Sequence, residues 1–309
     1  MTDLSAVDPQ LREPLPVIMA ASPRPLTLEV LPVRRQLGRD LRLTDEQMTR
    51  GGRITIESRD GYLIVRPAGA TGPLPGVVYL HGGGLMVGDE RSDMPVVLDW
   101  VEQAGVAVVS VDYRLAPEHA YPAQVEDCHA ALTWTAAHAD DLGLDGRLIL
   151  AGVSAGGGLA AATALLNRDR GGPELTGLLL VCPMLDDRTV DHEVRPYDTW
   201  SSVSNRTGWT ALLGDARGGP DVPPYAAPAR ATDLSGLPPA FIDVGTADIF
   251  LAEDVAFAQR LWAAGSLADL HVWAGGYHGF DASVPDAAVS RSARAARIDW
   301  LRRLLQVTV

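Results

Sequence analysis

The chain has 309 residues, a formal net charge of -13 at pH 7 and 47% hydrophobic residues. This apolar fraction can fill a sizeable core, which argues against intrinsic disorder. All 26 basic residues are arginine, and no run of them stands out. The composition therefore argues against binding of nucleic acid or of an anionic membrane surface.

Cysteine content and apolar run length exclude two further classes. Cys128 and Cys182 are the only cysteines, too few for a disulfide scaffold or a cysteine-rich metal site. We expect both to be buried, Cys128 in a helix and Cys182 in an apolar strand. Residues 1–19 do not resemble a signal peptide, and the longest apolar run, around Leu178–Val181, is far shorter than a membrane span of ~20 residues. We predict a cytoplasmic protein without a membrane span.

The predicted elements begin with helical pieces, separated by prolines, in the first ~50 residues. Two alternating runs, Arg53–Glu57 and Tyr62–Arg66, follow and are joined through Asp60-Gly61, which indicates a hairpin. Short apolar runs then alternate with helix-length segments, and a final amphipathic helix covers Ser290–Leu305. The runs predicted as strands are Gly76–Leu80, Val106–Val111, Leu148–Ala151, Thr176–Val181, Ala240–Val244 and Leu270–Val272. The segments predicted as helices are Asp93–Ala104, Ala123–Ala139, Ala155–Asn167 and Ala252–Ala263.

This alternation predicts one α/β domain over residues 1–309. Its mostly parallel, eight-stranded sheet should carry helices on both faces, because crossover helices must pack on the sheet. Asp186–Pro238 interrupts this alternation of strands and helices, because only short helical pieces are predicted there. The segment contains Trp200, Trp209 and Tyr225 among many Pro, Gly and Asp residues. We expect residues of about 1–50 and about 186–236 to form a helical cap over the site. The alternative is a structural elaboration without substrate contact.

A candidate nucleophile lies where an apolar strand turns into an Ala-rich helix. Gly152-Val-Ser154-Ala-Gly156 matches Gly-x-Ser-x-Gly, in which small glycines relieve a tight turn that exposes the serine hydroxyl. The same segment also fits a dinucleotide fingerprint, Gly156-x-Gly158-x-x-Ala161, with Glu174 as the distant acid. That fingerprint should open the first βα unit, whereas here several strands precede it. We therefore favour the nucleophile.

The other candidate catalytic groups are indicated by their positions directly after predicted strands. His81-Gly82-Gly83-Gly84 comes directly after a strand, and consecutive glycines let backbone N–H groups approach a developing oxyanion. Asp248 and His278 follow two later strands in the order Ser, Asp, His that this fold requires. His278 would take the Ser154 proton and Asp248 would orient the imidazole. Asp243 is a competing acid, although it lies within a predicted strand.

With these residues in hand, the chain resembles the hormone-sensitive-lipase-like carboxylesterases, in their bacterial branch, of the α/β-hydrolase superfamily. The resemblance covers roughly residues 76–305 and rests on the glycine motif, the serine motif, Asp112-Tyr-Arg-Leu-Ala-Pro-Glu-His119, Asp248 and His278-Gly-Phe280. It implies oxyanion donors at Gly83, Gly84 and Ala155, a cap, and hydrolysis of short- or medium-chain acyl esters without a cofactor or metal. It also implies a structural role for residues 113–119, and a homodimer through the edge strand near Leu270 by family analogy.

The pattern departs from the family at three places. Val153 stands where Asp or Thr is frequent, Leu85 where an aromatic residue is common, and Ile249-Phe250 where Pro-Leu is frequent. None of these changes removes a catalytic group. Leu85, Trp200 and Trp209 are our candidates for the substrate pocket. We interpret Asp191-His192-Glu193 as solvated cap surface and not as a metal site.

Two alternatives to the esterase stay open. Aryl-formamide or other amide hydrolysis uses the same triad and oxyanion hole. A non-catalytic binding protein on the same fold would typically lack a member of the triad, whereas this chain keeps all three.

Overall fold

The computed structural model describes residues 3–59, 61–189 and 192–306. Within these ranges it contains eight β-strands and eleven α-helices. The strands are β1 (Ile54–Arg59), β2 (Tyr62–Pro67), β3 (Leu74–Leu80), β4 (Ala107–Val111), β5 (Leu144–Val153), β6 (Gly177–Val181), β7 (Ala240–Gly245) and β8 (Ala268–Trp273). The helices are α1 (Pro9–Arg12), α2 (Leu15–Ala20), α3 (Leu31–Asp40), α4 (Asp45–Met48), α5 (Met94–Ala104), α6 (Ala123–Ala137), α7 (Ala155–Arg170), α8 (Ser202–Leu213), α9 (Leu251–Ala263), α10 (Phe280–Ser283) and α11 (Ala288–Gln306).

The strands form a single sheet in the order β1-β2-β4-β3-β5-β6-β7-β8. β2 pairs antiparallel with β1 and with β4, and every later pair from β4 to β8 is parallel. The predicted mostly parallel, eight-stranded α/β-hydrolase sheet is thereby confirmed. Asp60, in the predicted hairpin turn, lies outside the described residues.

Helices cover the sheet on both faces. Every residue of β4, β6 and β7 is buried, and successive side chains of a strand point to opposite faces, so neither face of the central sheet is open. α7 packs on β5 and β6 and contacts α6, whereas α5 contacts α11 and packs near β2. None of the helices in the described ranges has both the length and the apolar character needed to cross a bilayer.

The segments expected to form a cap contain helices of different lengths. The first 50 residues contain the short helices α1 to α4, as predicted. In the insertion, α8 has 12 residues and is longer than the short pieces we expected. Its start is stabilised by Ser201, whose hydroxyl accepts a hydrogen bond from the Ser204 N–H at 3.3 Å. No proline interrupts residues 202–213, so the helix continues over three turns.

A small hydrophobic cluster joins the N-terminal helices to the loops that follow β7 and β8. Val7 and Leu11 pack with Ala247 and Tyr277, each the neighbour of a predicted triad residue. The Asp8 N–H donates to the Gly275 carbonyl oxygen at 3.0 Å. The N-terminal segment therefore helps to fix both of these loops.

Candidate active site

The structure brings the three predicted triad side chains together at the carboxyl edge of the parallel strands. Ser154 stands between β5 and α7, Asp248 follows β7, and His278 follows β8. His278 Nε2 lies 2.9 Å from Ser154 Oγ, and His278 Nδ1 lies 2.8 Å from Asp248 Oδ2. With the proton on Nδ1, the imidazole donates to the carboxylate and accepts from the serine hydroxyl, which is the arrangement that activates a serine nucleophile.

The backbone around Ser154 has the strained turn that its motif predicts. Ser154 has φ 56° and ψ -119°, values that a residue with a side chain seldom adopts. Its N–H donates to the Val181 carbonyl oxygen at 2.8 Å, and its own carbonyl oxygen accepts from the Met184 N–H at 2.9 Å. These bonds to the last residue of β6 and to the chain just after it hold the turn in place, with Ser154 only 4% exposed.

The glycines around Ser154 are required by close packing against backbone. A Cβ atom on Gly152 would lie 2.2 Å from the Gly156 carbonyl oxygen, and one on Gly156 would lie 2.0 Å from the Leu80 carbonyl oxygen. A Cβ atom on Gly158 would lie 2.0 Å from the Met184 carbonyl oxygen. All three glycines are thus explained by contacts within the protein, which removes the reason for the dinucleotide interpretation.

The Asp248 carboxylate is held by its own loop. Asp248 Oδ1 accepts a hydrogen bond from the Phe250 N–H at 3.1 Å, which leaves Oδ2 for His278. The Phe250 ring packs edge-on against the imidazole, with 5.2 Å between the ring centroids. The hydroxyl of Thr199, in the insertion, donates to the His278 carbonyl oxygen at 2.6 Å. Phe250 and Thr199 are positioning contacts that the motifs alone did not indicate.

Asp243, the competing acid, has different partners. Its Oδ2 atom accepts from Arg297 Nε at 2.9 Å and from Trp273 Nε1 at 3.0 Å. The Arg297 guanidinium also binds Asp281, so α11 is tied to the end of β7 and to the chain just after His278. Burial raises the pKa of the Asp243 carboxyl above its ordinary value, against the opposing effect of Arg297. The Asp243 carboxylate therefore belongs to a buried ion-pair network behind the catalytic loops.

The glycine loop lies directly beside the serine. A Cβ atom on Gly82 would stand 3.6 Å from Ser154 Cβ. Gly83 and Gly84 have φ values of 115° and 61°, and within the part of the chain that the structure describes neither N–H donates to a protein acceptor. Ala155 opens α7, where first-turn N–H groups lack acceptors inside the helix. The three predicted oxyanion donors therefore lie next to or directly after Ser154, with their N–H groups available.

Asp93 supports this loop, and sequence reasoning missed it. Asp93 Oδ2 accepts a hydrogen bond from the Gly82 N–H at 2.9 Å and another from the Tyr79 hydroxyl at 2.8 Å. The sequence signal was ambiguous, because an Asp directly before a helix is typical of a capping residue. In the structure the Asp93 side chain makes no capping bond to α5.

The three candidate pocket residues differ in their position relative to the glycine loop and His278. The Trp200 ring covers the glycine loop, since a Cβ atom on Gly84 would lie 2.1 Å from Trp200 Cη2. The same ring lies near the imidazole of His278, with 6.3 Å between centroids. All three side chains are buried in the main hydrophobic core, at 3% exposure for Leu85, 7% for Trp200 and 1% for Trp209. Of the three, Trp200 is the one that the structure places over the site.

The residues that we predicted to have no catalytic role make contacts within the protein. Both carboxylate oxygens of Glu118 accept from the Arg35 guanidinium at 2.7 Å, which anchors α3 to the segment after β4. His192 Nδ1 lies 2.8 Å from the carbonyl oxygen of Glu193, and Asp191 lies outside the described residues. Both cysteines are buried as expected, but Cys182 follows β6 instead of lying within it and has a left-handed φ of 36°.

Comparison with known proteins places this geometry in a family. A family model described as the alpha/beta hydrolase fold matches residues 77–282, about two thirds of the chain. The chain is 40% identical over 226 residues to carboxylesterase NlhH of Mycobacterium tuberculosis, which covers 70% of each protein. A solved structure of a bacterial heroin esterase superposes with a TM-score of 0.87 at 33% identity, covering 98% of this chain and 99% of that one.

The chain thus belongs to the α/β-hydrolase fold family. Within it, a 90-residue stretch is 42% identical to hormone-sensitive lipase of Mus musculus, which corresponds to 29% of this chain and 12% of the lipase. Together with the esterase relatives, this match confirms the resemblance predicted from the motifs. The protein is a hormone-sensitive-lipase-like carboxylesterase, an enzyme of the serine ester hydrolase class.

Proposed function

We propose that the protein hydrolyses carboxylic esters with short to medium acyl chains through a Ser154–His278–Asp248 triad and an acyl-enzyme intermediate. The observation that carries this proposal is the hydrogen-bonded chain from Ser154 Oγ through the imidazole to the Asp248 carboxylate, with distances of 2.9 and 2.8 Å. Both distances are within the reach that proton transfer between a nucleophile and its base requires.

The steps follow from these positions. The Ser154 oxygen attacks the ester carbonyl carbon while its proton moves to His278 Nε2, and Asp248 stabilises the resulting imidazolium. The tetrahedral intermediate then collapses, the carbon–oxygen bond to the alcohol breaks, and His278 returns the proton to the leaving alkoxide. A water molecule repeats the sequence on the acyl-enzyme, which releases the carboxylic acid and regenerates the serine.

Negative charge on the carbonyl oxygen would be stabilised by the N–H groups of Gly83, Gly84 and Ala155. The left-handed backbone of both glycines and the start of α7 beside them support this assignment. Each such donor is worth about 3–4 kcal/mol in the transition state of acyl transfer. No cofactor takes part in these steps.

The acyl-length preference is inferred from Trp200. Its ring covers Gly84 and approaches His278, so substrate groups near the oxyanion donors must fit beneath or beside it. A long acyl chain would have to displace this ring, whereas acetyl and butyryl groups are small. We therefore assign Trp200 to the substrate pocket and leave Leu85 and Trp209 as supporting core residues.

We also propose that the segments of about 1–50 and about 186–236 act together as the cap. Three contacts support this assignment. The Leu26 N–H donates to Ser204 Oγ at 2.9 Å, and the Arg24 guanidinium binds the Thr199 carbonyl oxygen. A Cβ atom on Gly208 would lie 2.7 Å from the Gly84 carbonyl oxygen, so α8 packs directly on the glycine loop.

The test is hydrolysis of p-nitrophenyl esters from acetate to laurate by the native protein and by Ser154→Ala. We expect activity to peak at short chains and to fall by at least about 10⁴-fold without the serine. A matched measurement is mass spectrometry after treatment with an organophosphate, which should add one adduct to the native chain and none to Ser154→Ala. Hydrolysis of an aryl formamide without ester hydrolysis would favour the amidase alternative. No turnover of either substrate by the folded protein would refute the proposal.

The predicted homodimer and the cytoplasmic location remain predictions. Support for the dimer comes from the edge strand β8 and from Leu267 and Val272, which are 76% and 42% exposed at that edge. Sedimentation at monomer mass as a single species would end the dimer prediction.

A further inference from the structure

Cys182 lies against the triad, and none of the proposed catalytic steps uses it. It directly follows β6, at the same sheet edge as Ser154 and Asp248, and its thiol is buried. Its φ of 36° is left-handed, a backbone conformation that residues with a side chain rarely adopt and that tends to occur at functional sites. One potential ligand atom from each of Cys182, Asp248 and His278 lies within 4.8 Å of the other two.

These three side chains offer the donor types that zinc binds. Thiolate sulfur, imidazole nitrogen and carboxylate oxygen coordinate Zn²⁺ at about 2.3, 2.0–2.1 and 2.0–2.2 Å. Tetrahedral ligands at such distances are about 3.3–3.7 Å apart. The three ligand atoms lie within 4.8 Å of one another, so their longest separation would have to shorten by about 1 Å at most. The 2.8 Å contact between His278 Nδ1 and Asp248 Oδ2 would have to lengthen by less than that.

A small cavity provides room for this movement. It measures about 10 Å³, and its lining includes Cys182, Asp248, Asp243, Asp281 and Arg297. This is close to the space that one water molecule occupies, and a bare Zn²⁺ ion is smaller than water. The carboxylates of Asp243 and Asp281 offset the charge of Arg297, so a cation at Cys182 does not face an unpaired positive group.

We propose that Cys182, Asp248 and His278 form an inhibitory site for a thiophilic divalent cation of the Zn²⁺ type. On binding, the thiol releases its proton to solvent and the thiolate coordinates the metal. The Asp248 carboxylate and a neutral imidazole nitrogen coordinate the same ion, so the hydrogen bond from His278 Nδ1 to Asp248 is lost. His278 is then unable to serve as the base for Ser154, and hydrolysis stops until the metal leaves. The inhibition rests on the proposed function, whereas the binding does not.

Cys128 supplies a matched control within the chain. It is also fully buried, on α6, with Thr163 as its polar neighbour, and burial raises the pKa of both cysteine thiols. Among the described residues, the cluster with Cys182 is the only group of three or more His, Cys, Asp or Glu side chains with converging ligand atoms. Removal of the Cys128 thiol should therefore leave metal binding unchanged.

The first experiment measures p-nitrophenyl acetate hydrolysis against ZnCl₂ concentration for the native protein, Cys182→Ala, Cys182→Ser and Cys128→Ala. Each rate is expressed relative to the zinc-free rate of the same variant, and circular dichroism checks that each is folded. Native protein and Cys128→Ala should be inhibited with a common midpoint and recover when EDTA is added. Both Cys182 variants should need at least about tenfold more zinc. Equal midpoints for native protein and the Cys182 variants would overturn the proposal.

The second experiment does not depend on activity. Co²⁺ is added to Ser154→Ala, which keeps all three ligands, and to the double variant Ser154→Ala/Cys182→Ala. A thiolate-to-cobalt charge-transfer band in the near ultraviolet is expected in the first protein and not in the second. Absence of the band from Ser154→Ala would overturn the proposed site. A band in Ser154→Ala combined with no esterase activity in the native protein would instead preserve the site and reject the proposed function.

Discussion

The carboxylate of Asp93 binds the backbone of Gly82, with 2.9 Å between Asp93 Oδ2 and the Gly82 nitrogen. Gly82 precedes the two glycines whose N–H groups we assign to the oxyanion hole. Because Asp93 takes up the Gly82 N–H, the direction of the following peptide planes is fixed before any substrate binds. Such preorganisation is the main source of transition-state stabilisation in an oxyanion hole.

Replacement of Asp93 by Ala should therefore lower kcat and leave KM nearly unchanged. Ala removes the acceptor of the Gly82 N–H, which would loosen the loop without removing an oxyanion donor. We expect a loss of about 10- to 100-fold in kcat, less than the 10²–10³-fold caused by removal of a donor. Binding of a trifluoromethyl ketone, which forms a tetrahedral adduct, should weaken in the same proportion.

Tyr79→Phe is the control for this prediction. It removes the second hydrogen bond to Asp93 Oδ2 but keeps the bond from the Gly82 N–H. We expect near-native kcat for Tyr79→Phe. Equal losses in both variants would show that Asp93 acts on general stability and not on the glycine loop.

The core of the site was predictable from the sequence because short-range signals determine it. Glycines flank Ser154 where the turn would clash with any side chain, and the acid and the base each follow an apolar strand. The supporting residues were not predictable in this way. Arg297 and Asp243 are 54 residues apart in the chain, and arginine on an amphipathic helix ordinarily predicts a solvated face. Only the packing of α11 on the sheet turns that side chain inward.

Trp200→Ala should broaden the range of acyl chains that the enzyme accepts. Removal of the indole opens the space above Gly84 and beside His278, so hexanoate and octanoate esters should gain in kcat/KM relative to acetate. A missing or added methylene in an apolar pocket is worth about 1–3 kcal/mol, so we expect a shift of about tenfold or more in this ratio. The p-nitrophenyl ester series measures it directly.

Trp209→Phe serves as the comparison for Trp200. Trp209 is on α8 and only 1% exposed in the main core. Its replacement should lower the free energy of unfolding and leave the order of preferred chain lengths unchanged. If Trp209→Phe shifts the chain-length profile and Trp200→Ala does not, the assignment of Trp200 to the pocket is wrong.

Replacement of Arg297 by Met should destabilise the fold strongly. The guanidinium is 2% exposed and binds both Asp243 and Asp281, so its loss leaves two buried carboxylates without their cation. Breaking a buried ion pair in this way costs about 3–5 kcal/mol. Urea denaturation monitored by circular dichroism measures the change in the free energy of unfolding.

Arg303→Met is the matched variant on the same helix. Arg303 is 64% exposed and pairs with Asp269 at 2.6 Å, and an exposed pair of this kind contributes about 0–1 kcal/mol. The double variant Arg297→Met/Asp243→Asn should recover part of the loss, because one unpaired charge is removed. No recovery would indicate that Arg297 acts by packing volume alone.

Glu253 should make the stability of the protein depend on pH. Its carboxyl group is buried on α9, and burial raises its pKa from an ordinary 4.5 to about 8. The Leu185 N–H donates to Glu253 Oε1 at 2.7 Å and the Asp186 N–H at 3.2 Å, while Oε2 contacts the Thr189 hydroxyl. Protonated Glu253 therefore binds the backbone at the start of the insertion, beside the negatively charged Asp186.

The direction of this pH dependence follows from the number of protons that Glu253 binds in the folded and in the unfolded chain. Between pH 4.5 and about 8 the unfolded chain has lost the Glu253 proton while the folded chain keeps it, so the folded state binds more protons. The free energy of unfolding then falls as pH rises, by up to about 1.4 kcal/mol per pH unit from this group. Glu253→Gln keeps the shape and the hydrogen-bonding capacity but does not titrate. Urea denaturation across this range should show that the variant gains stability over the native protein as pH rises, and parallel curves would show that Glu253 is ionised in the folded state throughout.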